Sequence, residues 1–390
     1  MSSLIYLGPF ATMADRFAVA PMLIPIAVSF HVSLTTASAA ASLYYLAYGL
    51  MPLAYGVLSD RFGRVRIIRS ALVGTALADL FSALSPSLTL LLIARFITGA
   101  IACGVFPTTL VYLGDRFPFA VRQQAVTNVL VWIALGTAAG TIGGGLIAHL
   151  LTWRAFFVIP GAIAIAAAIG LRRVPESLTA RSTVNPVQQV ASVLSHGSAL
   201  FLLGLGVLDG AVMFGFVTYL APALEASGSS PAIAGGVVAG YGLSVLIATR
   251  GFGRVARHAP AALLLAGGAL MLSAGYLIAA AVQTVATILA ASLLAGGAYA
   301  FMQSTFQTWA TDVVPEARGT ATSLFATAIF AGAALATAGA AGLASAHDYR
   351  TLFRVAATIT LPVLVVGSVG RWRYRGSETV GDPQPGSQIG

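Results

Sequence analysis

The chain has 390 residues, of which 58% are hydrophobic and only 8% are charged, and its mean hydropathy is +0.89. An ordinary soluble domain carries about 25% charged residues, so this composition excludes a soluble protein and predicts one that crosses a membrane repeatedly. Arginine supplies all 21 basic residues against 12 acidic ones, a formal net charge of +9. These arginines lie between apolar runs rather than on one face of a domain, so a nucleic-acid partner is also excluded.

About 20 apolar residues are needed to cross the hydrocarbon core as a helix. Runs of this length and apolarity satisfy their backbone groups in lipid as helices, and the alternating ten-residue pattern of a membrane barrel is not seen. The predicted fold class is therefore all-α integral membrane, with twelve transmembrane helices. The predicted helices span residues 6–30, 37–58, 67–85, 88–113, 124–150, 154–171, 197–221, 231–250, 261–281, 284–310, 319–344 and 350–370.

The loops between these helices alternate between arginine-rich and arginine-poor. The loop after helix 2 holds Arg61, Arg64 and Arg66, whereas the loop before helix 6 holds little beyond Arg154. Short cytoplasmic loops accumulate positive charge, so both termini are predicted to face the cytoplasm. The predicted location is the cell membrane, as a multi-pass protein of a bacterial inner membrane.

Several residues of the first half of the sequence recur in the same order in the second half. Asp15 in helix 1 recurs as Asp209 in helix 7, and Gly63-Arg64 recurs as Gly253-Arg254. This order predicts a duplicated six-helix unit. The predicted domains are an N-terminal six-helix bundle at 1–171, a cytoplasmic linker at 172–196, a C-terminal six-helix bundle at 197–370 and a disordered cytoplasmic tail at 371–390.

The loop between helices 2 and 3 reads Gly56-Val-Leu-Ser-Asp60-Arg61-Phe-Gly63-Arg64-Val-Arg66, and it closely resembles the loop signature of the major facilitator superfamily. Arg95 with Gly99 in helix 4 is similar to the same family's helix 4 arginine motif. The resemblance covers the whole chain. It implies two pseudo-symmetric six-helix bundles, a functional monomer, and a gating motif made of Gly56, Asp60, Arg61, Gly63, Arg64 and Arg66.

The gating role has a physical basis. A carboxylate is favoured at the positive N-terminal end of a helix, where backbone amides lack partners. Asp60 is therefore predicted to sit against the start of helix 11 near Gly319 and to latch the cytoplasmic side. The alternative is that these charges only orient the protein in the membrane.

Helix 5 carries a second glycine pattern, formed by Gly136, Gly140, Gly144 and Gly145. It resembles the motif of the antiporter branch of the family, which implies export in exchange for protons. Thr141 stands where that motif has proline. This departure keeps uptake by proton symport open as the alternative.

Charged residues inside the predicted helices mark a candidate site, because an ionisable group in hydrocarbon costs at least about 2.5 kcal/mol and usually faces a cavity or a partner. They include Asp15 and Arg16 in helix 1, Arg95 in helix 4 and Asp209 in helix 7. We predict that they serve proton coupling or substrate binding, with either arginine available to pair with Asp15. A static ion pair that only fixes helix packing is the alternative.

Asp79 in helix 3 is predicted to behave differently. It lies close to Ser85 and Pro86, which mark the outer end of that helix. A solvated carboxylate is therefore predicted there.

Helical spacing predicts a cavity lining of tyrosine, tryptophan and amide side chains, because residues four apart share a helix face. Such a wall suits a moderately amphipathic organic solute, although aromatic stripes also serve helix packing. The predicted lining residues are Tyr44, Tyr48, Asn128, Trp132, Tyr299, Gln303 and Gln307.

The remaining residues argue against an enzyme. His31, His149, His196, His258 and His347 all lie at helix ends or in loops, and no Ser, His and Asp arrangement is visible. No metal site and no cofactor are predicted, and the glycines of helix 5 are not a nucleotide-binding loop.

These features together predict a proton-coupled secondary active transporter driven by the proton motive force, whose partners are protons, a small-molecule substrate and the lipid bilayer. It is predicted to export a small amphipathic organic compound, a drug or a metabolite, by alternating access. Proton symport for uptake of a small metabolite is the alternative. A receptor without transport on the same scaffold is a third possibility, which ligand binding without transport would reveal.

Overall fold

The computed structural model describes residues 4–117, 119–176, 186–255 and 259–374, without the side chains of residues 119–123, 186 and 252–254. Every regular element in these ranges is helical, which confirms the all-α fold class. Eleven helices are long and apolar enough to cross a membrane, and one pair bent by 49° makes a twelfth span. The protein is thus a multi-pass membrane protein.

The first six spans end at a polar interval. They are α1 (Leu4–Phe30), α2 (Leu34–Leu50 with Pro52–Phe62), α3 (Arg64–Leu84), α4 (Leu88–Arg116), α5 (Gln124–Leu150) and α6 (Trp153–Arg173). A short helix, Pro186–Ser195, precedes the second set. That set comprises α7 (Gly197–Ala226), α8 (Pro231–Gly251), α9 (Ala261–Ala281), α10 (Val285–Asp312), α11 (Pro315–Ser345) and α12 (Tyr349–Arg373).

Parts of the predicted linker and tail fall outside the described residues, namely 177–185 and 375–390. Gly253 and Arg254, predicted as the second copy of Gly63-Arg64, lie where side chains are not described. The domain boundaries therefore stay a prediction.

Several spans that were predicted as continuous helices are interrupted. Span α2 bends at Met51, directly before Pro52, because proline has no amide hydrogen to continue the helix. Span α7 changes to a wider π-helical turn over Ala211–Gly215. Turns of this kind often mark functional sites, and this one begins two residues after Asp209.

Glycines bring pairs of spans into backbone contact. Gly140 and Gly144 of α5 lie against the backbone of Ala14 and Ala18 of α1, and Gly136 makes the same kind of contact one turn earlier. Without side chains at these positions the two helices approach closely, as small residues permit in lipid. The glycine pattern of helix 5 thus packs directly against α1, the span that carries Asp15 and Arg16.

The second half has an equivalent helix pair. Gly210 of α7 lies against the carbonyl of Ile329 in α11, and Gly332 of α11 lies against the carbonyl of Val207 in α7. Spans α7 and α11 therefore pack as α1 and α5 do. This correspondence agrees with the duplication read from the sequence.

Hydrogen bonds join the two halves at one end of the bundle, which we call the far end because it lies opposite the Gly56–Arg66 loop. There the amide of Thr35 donates to Ser345 Oγ at 3.3 Å, and its hydroxyl donates to the carbonyl of Ala341 at 3.1 Å. At mid-depth the Thr327 hydroxyl donates to the carbonyl of Gly49 at 2.7 Å. We call the opposite end, which carries that loop, the signature end.

Candidate functional site

Three charged side chains from three spans meet in the N-terminal half. Nη1 of Arg95 in α4 lies 2.5 Å from Oδ1 of Asp15 in α1 and 4.0 Å from Oδ1 of Asp79 in α3. The side chains of both acids are 0% exposed and that of Arg95 is 1% exposed. The prediction of a solvated Asp79 is therefore wrong: α3 turns this carboxylate into the bundle, where Gly161 of α6 leaves room beside its Cβ.

Aromatic rings complete the surroundings of Arg95. Its guanidinium carbon lies 4.6 Å from the ring centre of Tyr44 and 5.2 Å from that of Phe157. Gly99, one turn beyond Arg95 in α4, sits against the backbone carbonyl of Tyr44. This glycine lets α2 and α4 approach closely enough for Tyr44 to cover the guanidinium.

The cluster of Asp15, Asp79 and Arg95 has unequal numbers of acids and bases. One guanidinium neutralises one carboxylate, so two ionised acids would leave a net negative charge away from water, which is costly. No donor among the described residues reaches either oxygen of Asp79 or Oδ2 of Asp15, and the two carboxyl groups lie within hydrogen-bond reach of each other. One proton held by either acid makes the cluster neutral, so this arrangement can take up and release a proton.

Among its described residues the C-terminal half has two acids with buried carboxylate oxygens, Asp209 in the middle of α7 and Glu225 near the far end of that span. Asp209 of α7 is 0% exposed, and its Oδ2 accepts a hydrogen bond from Nε2 of Gln303 in α10 at 2.5 Å. Its other oxygen has no partner among the described residues. The structure thus joins two residues that the sequence singled out separately. Tyr299, one turn before Gln303, packs edge-on against Phe214 with ring centres 6.1 Å apart.

Arg16 lies next to Asp15 in the chain but does not share its partner. Of the two arginines available to Asp15, the structure pairs it with Arg95. Arg16 is 8% exposed and faces a small cavity between the two halves. The cavity is lined by Arg16, Phe17, Val19, Ala20, Ala41, Tyr45, Thr141, Phe214, Val217, Thr218 and Val238.

The predicted cavity-lining residues divide into two groups. Tyr44 covers Arg95 and Tyr48 faces Arg16. Both tyrosines are buried, as is Gln303, whereas Tyr299 is half-buried. The other three residues lie elsewhere. Asn128 accepts a hydrogen bond from Gln124 at 3.2 Å, Trp132 packs edge-on against Phe10, and Gln307 is exposed.

Arg64 is the buried centre of the signature loop. It forms an ion pair with Asp60, donates from Nη1 to Ser59 Oγ at 2.5 Å, and lies 3.3 Å through Nε from Oδ2 of Asp115. Arg61 and Arg66 are exposed. The loop is therefore fastened to the start of α3 and the end of α4, within the N-terminal half.

A carboxylate from beyond α6 also holds the loop. Glu176 accepts hydrogen bonds from the amides of Val65 at 2.7 Å and Arg66 at 3.0 Å, which caps the start of α3. Gly63, between α2 and α3, has φ +99, a conformation that L side chains rarely adopt. The sequence pattern did not identify Glu176 as part of this motif.

The predicted contact between Asp60 and helix 11 is not made in this conformation. Asp60 pairs with Arg64, and open space surrounds the Cβ positions of both Gly56 and Gly319. A latch at this end would therefore have to form when the signature end closes.

Sequence analysis missed four residues of the site: Asp79, Tyr45, Phe214 and Phe330. The charge of Asp79 within a span was the available signal, but its depth was judged from a nearby proline. No signal marked the aromatic residues, because Tyr45 and Phe214 come from opposite halves and meet only in the folded bundle. Among the described residues, no group of three or more His, Cys, Asp or Glu is placed to hold a metal ion.

Comparisons with known proteins all point to one family. The family model described as Major Facilitator Superfamily matches residues 5–337 and also 222–387. Among curated proteins, the MFS-type transporter YybF of Bacillus subtilis is 29% identical over 160 residues, 41% of this chain and 40% of YybF. The quinolone resistance protein NorB of Staphylococcus aureus is 27% identical over 202 residues, 50% of this chain and 43% of NorB. The matches thus span less than half the length of either relative.

Solved structures share the fold over nearly the whole chain. A bacterial homologue of the human lysosomal transporter Spinster, inward-facing and occupied, has a TM-score of 0.73 at 20% identity and covers 95% of both chains. A D-xylose–proton symporter has a TM-score of 0.78 at 18% identity and covers 95% of this chain and 96% of its own. At these identities the likeness establishes the fold alone.

Proposed function

The chain belongs to the major facilitator superfamily, and on that premise we propose that it is a proton-coupled secondary active transporter which exports a small amphipathic organic compound by alternating access. Membership makes it a transporter of small molecules rather than an enzyme, and one that needs no cofactor. The proton motive force is the proposed energy source.

The observation that carries the proposal is the cluster in which Asp15 and Asp79 share Arg95. Two acids and one guanidinium, sealed from solvent, need one proton to be neutral. When the cluster opens to water, the second acid can ionise because hydration then stabilises its charge. Proton uptake and release thereby become linked to which side of the bundle is open.

The contacts between the halves support alternating access. In this conformation a hydrogen bond joins the halves at Thr35 and Ser345 at the far end, whereas Asp60 at the signature end pairs with Arg64 and not with α11. We propose that substrate enters from the signature end in this state. Closure of that end would bring Asp60 to the amides at the start of α11 and release the far end.

Export is preferred to uptake on two grounds. The glycine pattern of α5 resembles the antiporter motif, and the relative NorB is named for quinolone resistance. Uptake by symport is the second candidate because Thr141 replaces the proline of that motif. The hydroxyl of Thr141 bonds to the carbonyls of Thr137 and Ala138 inside an unbroken helix, so α5 lacks the kink that proline would introduce.

The proposal includes the setting of the protein. Residues 1–171 and 197–370 would be the two moving bundles, joined by residues 172–196, and the protein would act as a monomer. The arginine bias of the loops supports a cytoplasmic location of the signature end and of both termini in a bacterial cell.

The test is proton release from energised inverted membrane vesicles that carry the protein. In these vesicles the cytoplasmic face points outward and the lumen is acid, so a compound exchanged for protons raises the lumenal pH. The compounds are cationic, neutral and anionic members of one aromatic series. The same panel is applied to vesicles that carry Asp79→Asn, which cannot take up a proton at that position.

Release by one class of compound, abolished in Asp79→Asn, is the expected result. If release is absent and the compounds instead accumulate in right-side-out vesicles when the outside is acid, the direction is uptake and the symporter alternative holds. Release that is equal in wild type and Asp79→Asn contradicts the proposed proton site.

A further inference from the structure

Arg16 is a buried guanidinium without an acidic partner. It is 8% exposed, and no carboxylate of the described residues lies within 4.0 Å of it, whereas Arg95 at similar depth has two acids close by. Its Nε has no hydrogen-bond partner in the part of the chain that the structure describes. A buried charge is strongly destabilising unless it is compensated, so its retention in the middle of a span calls for a reason.

Aromatic rings take the place of an acid around Arg16. Its guanidinium carbon lies 5.0 Å from the ring centre of Phe17, 5.2 Å from Tyr48, and 5.4 Å from both Phe214 and Phe330. Cation–π contacts of this kind offset part of the desolvation. They provide no hydrogen-bond acceptor for Nε, so the guanidinium can still donate to an acceptor on a ligand.

The acids nearby are already engaged by other groups. Asp15 adjoins Arg16 in the chain, but successive residues of a helix point about 100° apart, and Asp15 is bound to Arg95. Asp209 is bound to Gln303. A ligand that enters the cavity therefore meets one positive group and no competing negative one in its lining.

The rings come from both halves of the protein. Tyr48 lies in α2, Phe214 in α7 and Phe330 in α11, with Phe214 and Phe330 stacked at 5.7 Å and 22°. Tyr48 and Phe330 lie 4.4 Å apart across the boundary between the halves. Of these three rings Phe214 lines the cavity, so a planar aromatic ligand would stack on it first and would reach Tyr48 and Phe330 by separating that ring pair as the halves move.

We propose that Arg16 binds the carboxylate of a planar aromatic monoanion and that the rings of Tyr48, Phe214 and Phe330 stack on its aromatic body. This assignment of substrate class rests on the proposed transport function. The guanidinium matches a carboxylate in a bidentate pair, which is stronger than a hydrogen bond between neutral groups. Binding the anion would also neutralise the unpaired charge of Arg16.

The experiment compares three ligands with one ring system: 2-naphthoate, the neutral 2-naphthalenemethanol and the cationic 2-naphthylmethylammonium. Equilibrium binding of each radiolabelled compound to the purified, detergent-solubilised full chain is measured without a proton gradient. The wild type is expected to bind 2-naphthoate about tenfold or more tightly than the alcohol, and the ammonium least tightly. This ranking requires no variant.

Two variants of Arg16 and one control follow. Arg16→Gln is expected to lose the preference for 2-naphthoate while its affinity for the alcohol stays within about threefold, and Arg16→Lys should keep part of the preference. Arg154→Gln is the matched control. Arg154 also faces two rings, Phe30 at 5.0 Å and Trp153 at 4.3 Å, but it lies at the far end, outside the cavity.

The proposal is overturned if the alcohol or the ammonium binds the wild type more tightly than 2-naphthoate. It is equally overturned if Arg16→Gln, shown folded by its unfolding temperature, binds 2-naphthoate as the wild type does. Proton release is measured separately. Binding that follows the prediction without proton-linked transport would refute the proposed function and leave the anion site intact.

Discussion

Arg95 and Asp15 form a buried ion pair at 2.5 Å that ties α4 to α1, and the same nitrogen of Arg95 lies 4.0 Å from Asp79. The two acids are therefore not equivalent. Asp15 has a direct donor in Arg95, whereas no donor among the described residues reaches either oxygen of Asp79. This asymmetry separates a stabilising role from a protonation role.

We expect Asp79→Asn to fold as well as the wild type but to lose substrate-induced proton release. The amide removes a poorly compensated acid and keeps the ion pair of Asp15 with Arg95. Asp15→Asn, in contrast, is expected to lower stability, because Arg95 loses its close partner and keeps only Asp79 at 4.0 Å, so part of the about 3 to 5 kcal/mol that breaking a buried pair costs is lost. Thermal unfolding in detergent and proton release in vesicles measure the two effects.

Asp348→Asn is the control for these variants, because Asp348 lies in the loop before α12, outside the spans. It should release protons normally. Equal loss of stability in Asp15→Asn and Asp79→Asn would show that both acids hold Arg95 to the same degree, which contradicts the assigned roles.

The arrangement of spans was predictable from the sequence, whereas the direction in which each side chain points was not. Apolar runs gave the twelve spans, and a charged residue within a run marked Asp15, Arg95 and Asp209. Hydropathy measures depth in the membrane, but it does not measure rotation about the helix axis. Asp79 was therefore assigned to solvent although α3 turns it toward Arg95.

Contacts between distant parts of the chain could not be predicted either, because the sequence does not give the rotation of each helix about its axis. The ring cage of Arg16 joins Tyr48 to Phe214 and Phe330, residues of three different spans. Glu176 caps α3 from beyond α6. No local period relates such residues, because only the packing of the helices brings them together.

Asp348 provides a pH-dependent contribution to stability outside the membrane. Its Oδ1 accepts a hydrogen bond from the amide of Thr351 at 3.0 Å and caps α12. Hydrogen bonds from Thr351 lower the pKa of Asp348 below its usual value. A lowered folded-state pKa means that the contribution is present above the unfolded pKa of about 3.9 and is lost as the pH falls through the folded value.

We therefore expect wild type to have a higher unfolding temperature than Asp348→Ala near neutral pH, with a difference that shrinks below about pH 4. Asp348→Asn keeps an oxygen acceptor that does not titrate, so its advantage over the alanine variant should not change with pH. A constant difference between wild type and Asp348→Ala down to about pH 3 would show that the ionised carboxylate is not the capping group.

Neighbouring glycines of α8 offer a test of the closed far end. A Cβ on Gly235 would meet the backbone carbonyl of Thr141 across the boundary between the halves, whereas a Cβ on Gly236 would meet open space. Overpacking of this kind costs about 1 to 3 kcal/mol. In Gly235→Ala this overpacking destabilises the conformation in which the far end is closed.

The measurement is labelling of Val238→Cys, a position that lines the central cavity, by a membrane-impermeant maleimide added at the far side. The buried Cys103 is first replaced by serine. Gly235→Ala is expected to raise the labelling rate about fivefold or more, and Gly236→Ala to leave it unchanged. Equal rates in both variants would mean that this contact does not hold the far end shut.

Asp60 tests the proposed latch at the signature end. Its side chain is 36% exposed and its described partner is Arg64, so Asp60→Asn removes a partly solvated ion pair. Such pairs contribute about 1 kcal/mol or less, so the unfolding temperature should change little. Transport should fall well below that of the wild type, because an amide cannot supply the negative charge that the amides at the start of α11 favour when this end closes.

Asp60→Glu is the matched control, because it keeps the negative charge at the same position of the loop. Transport in Asp60→Glu should stay well above that of Asp60→Asn, so a similar fall in both variants would show that the negative charge is not what the latch requires. Normal transport in Asp60→Asn would mean that the signature end closes without the carboxylate, and the loop would then serve orientation and the packing of α3.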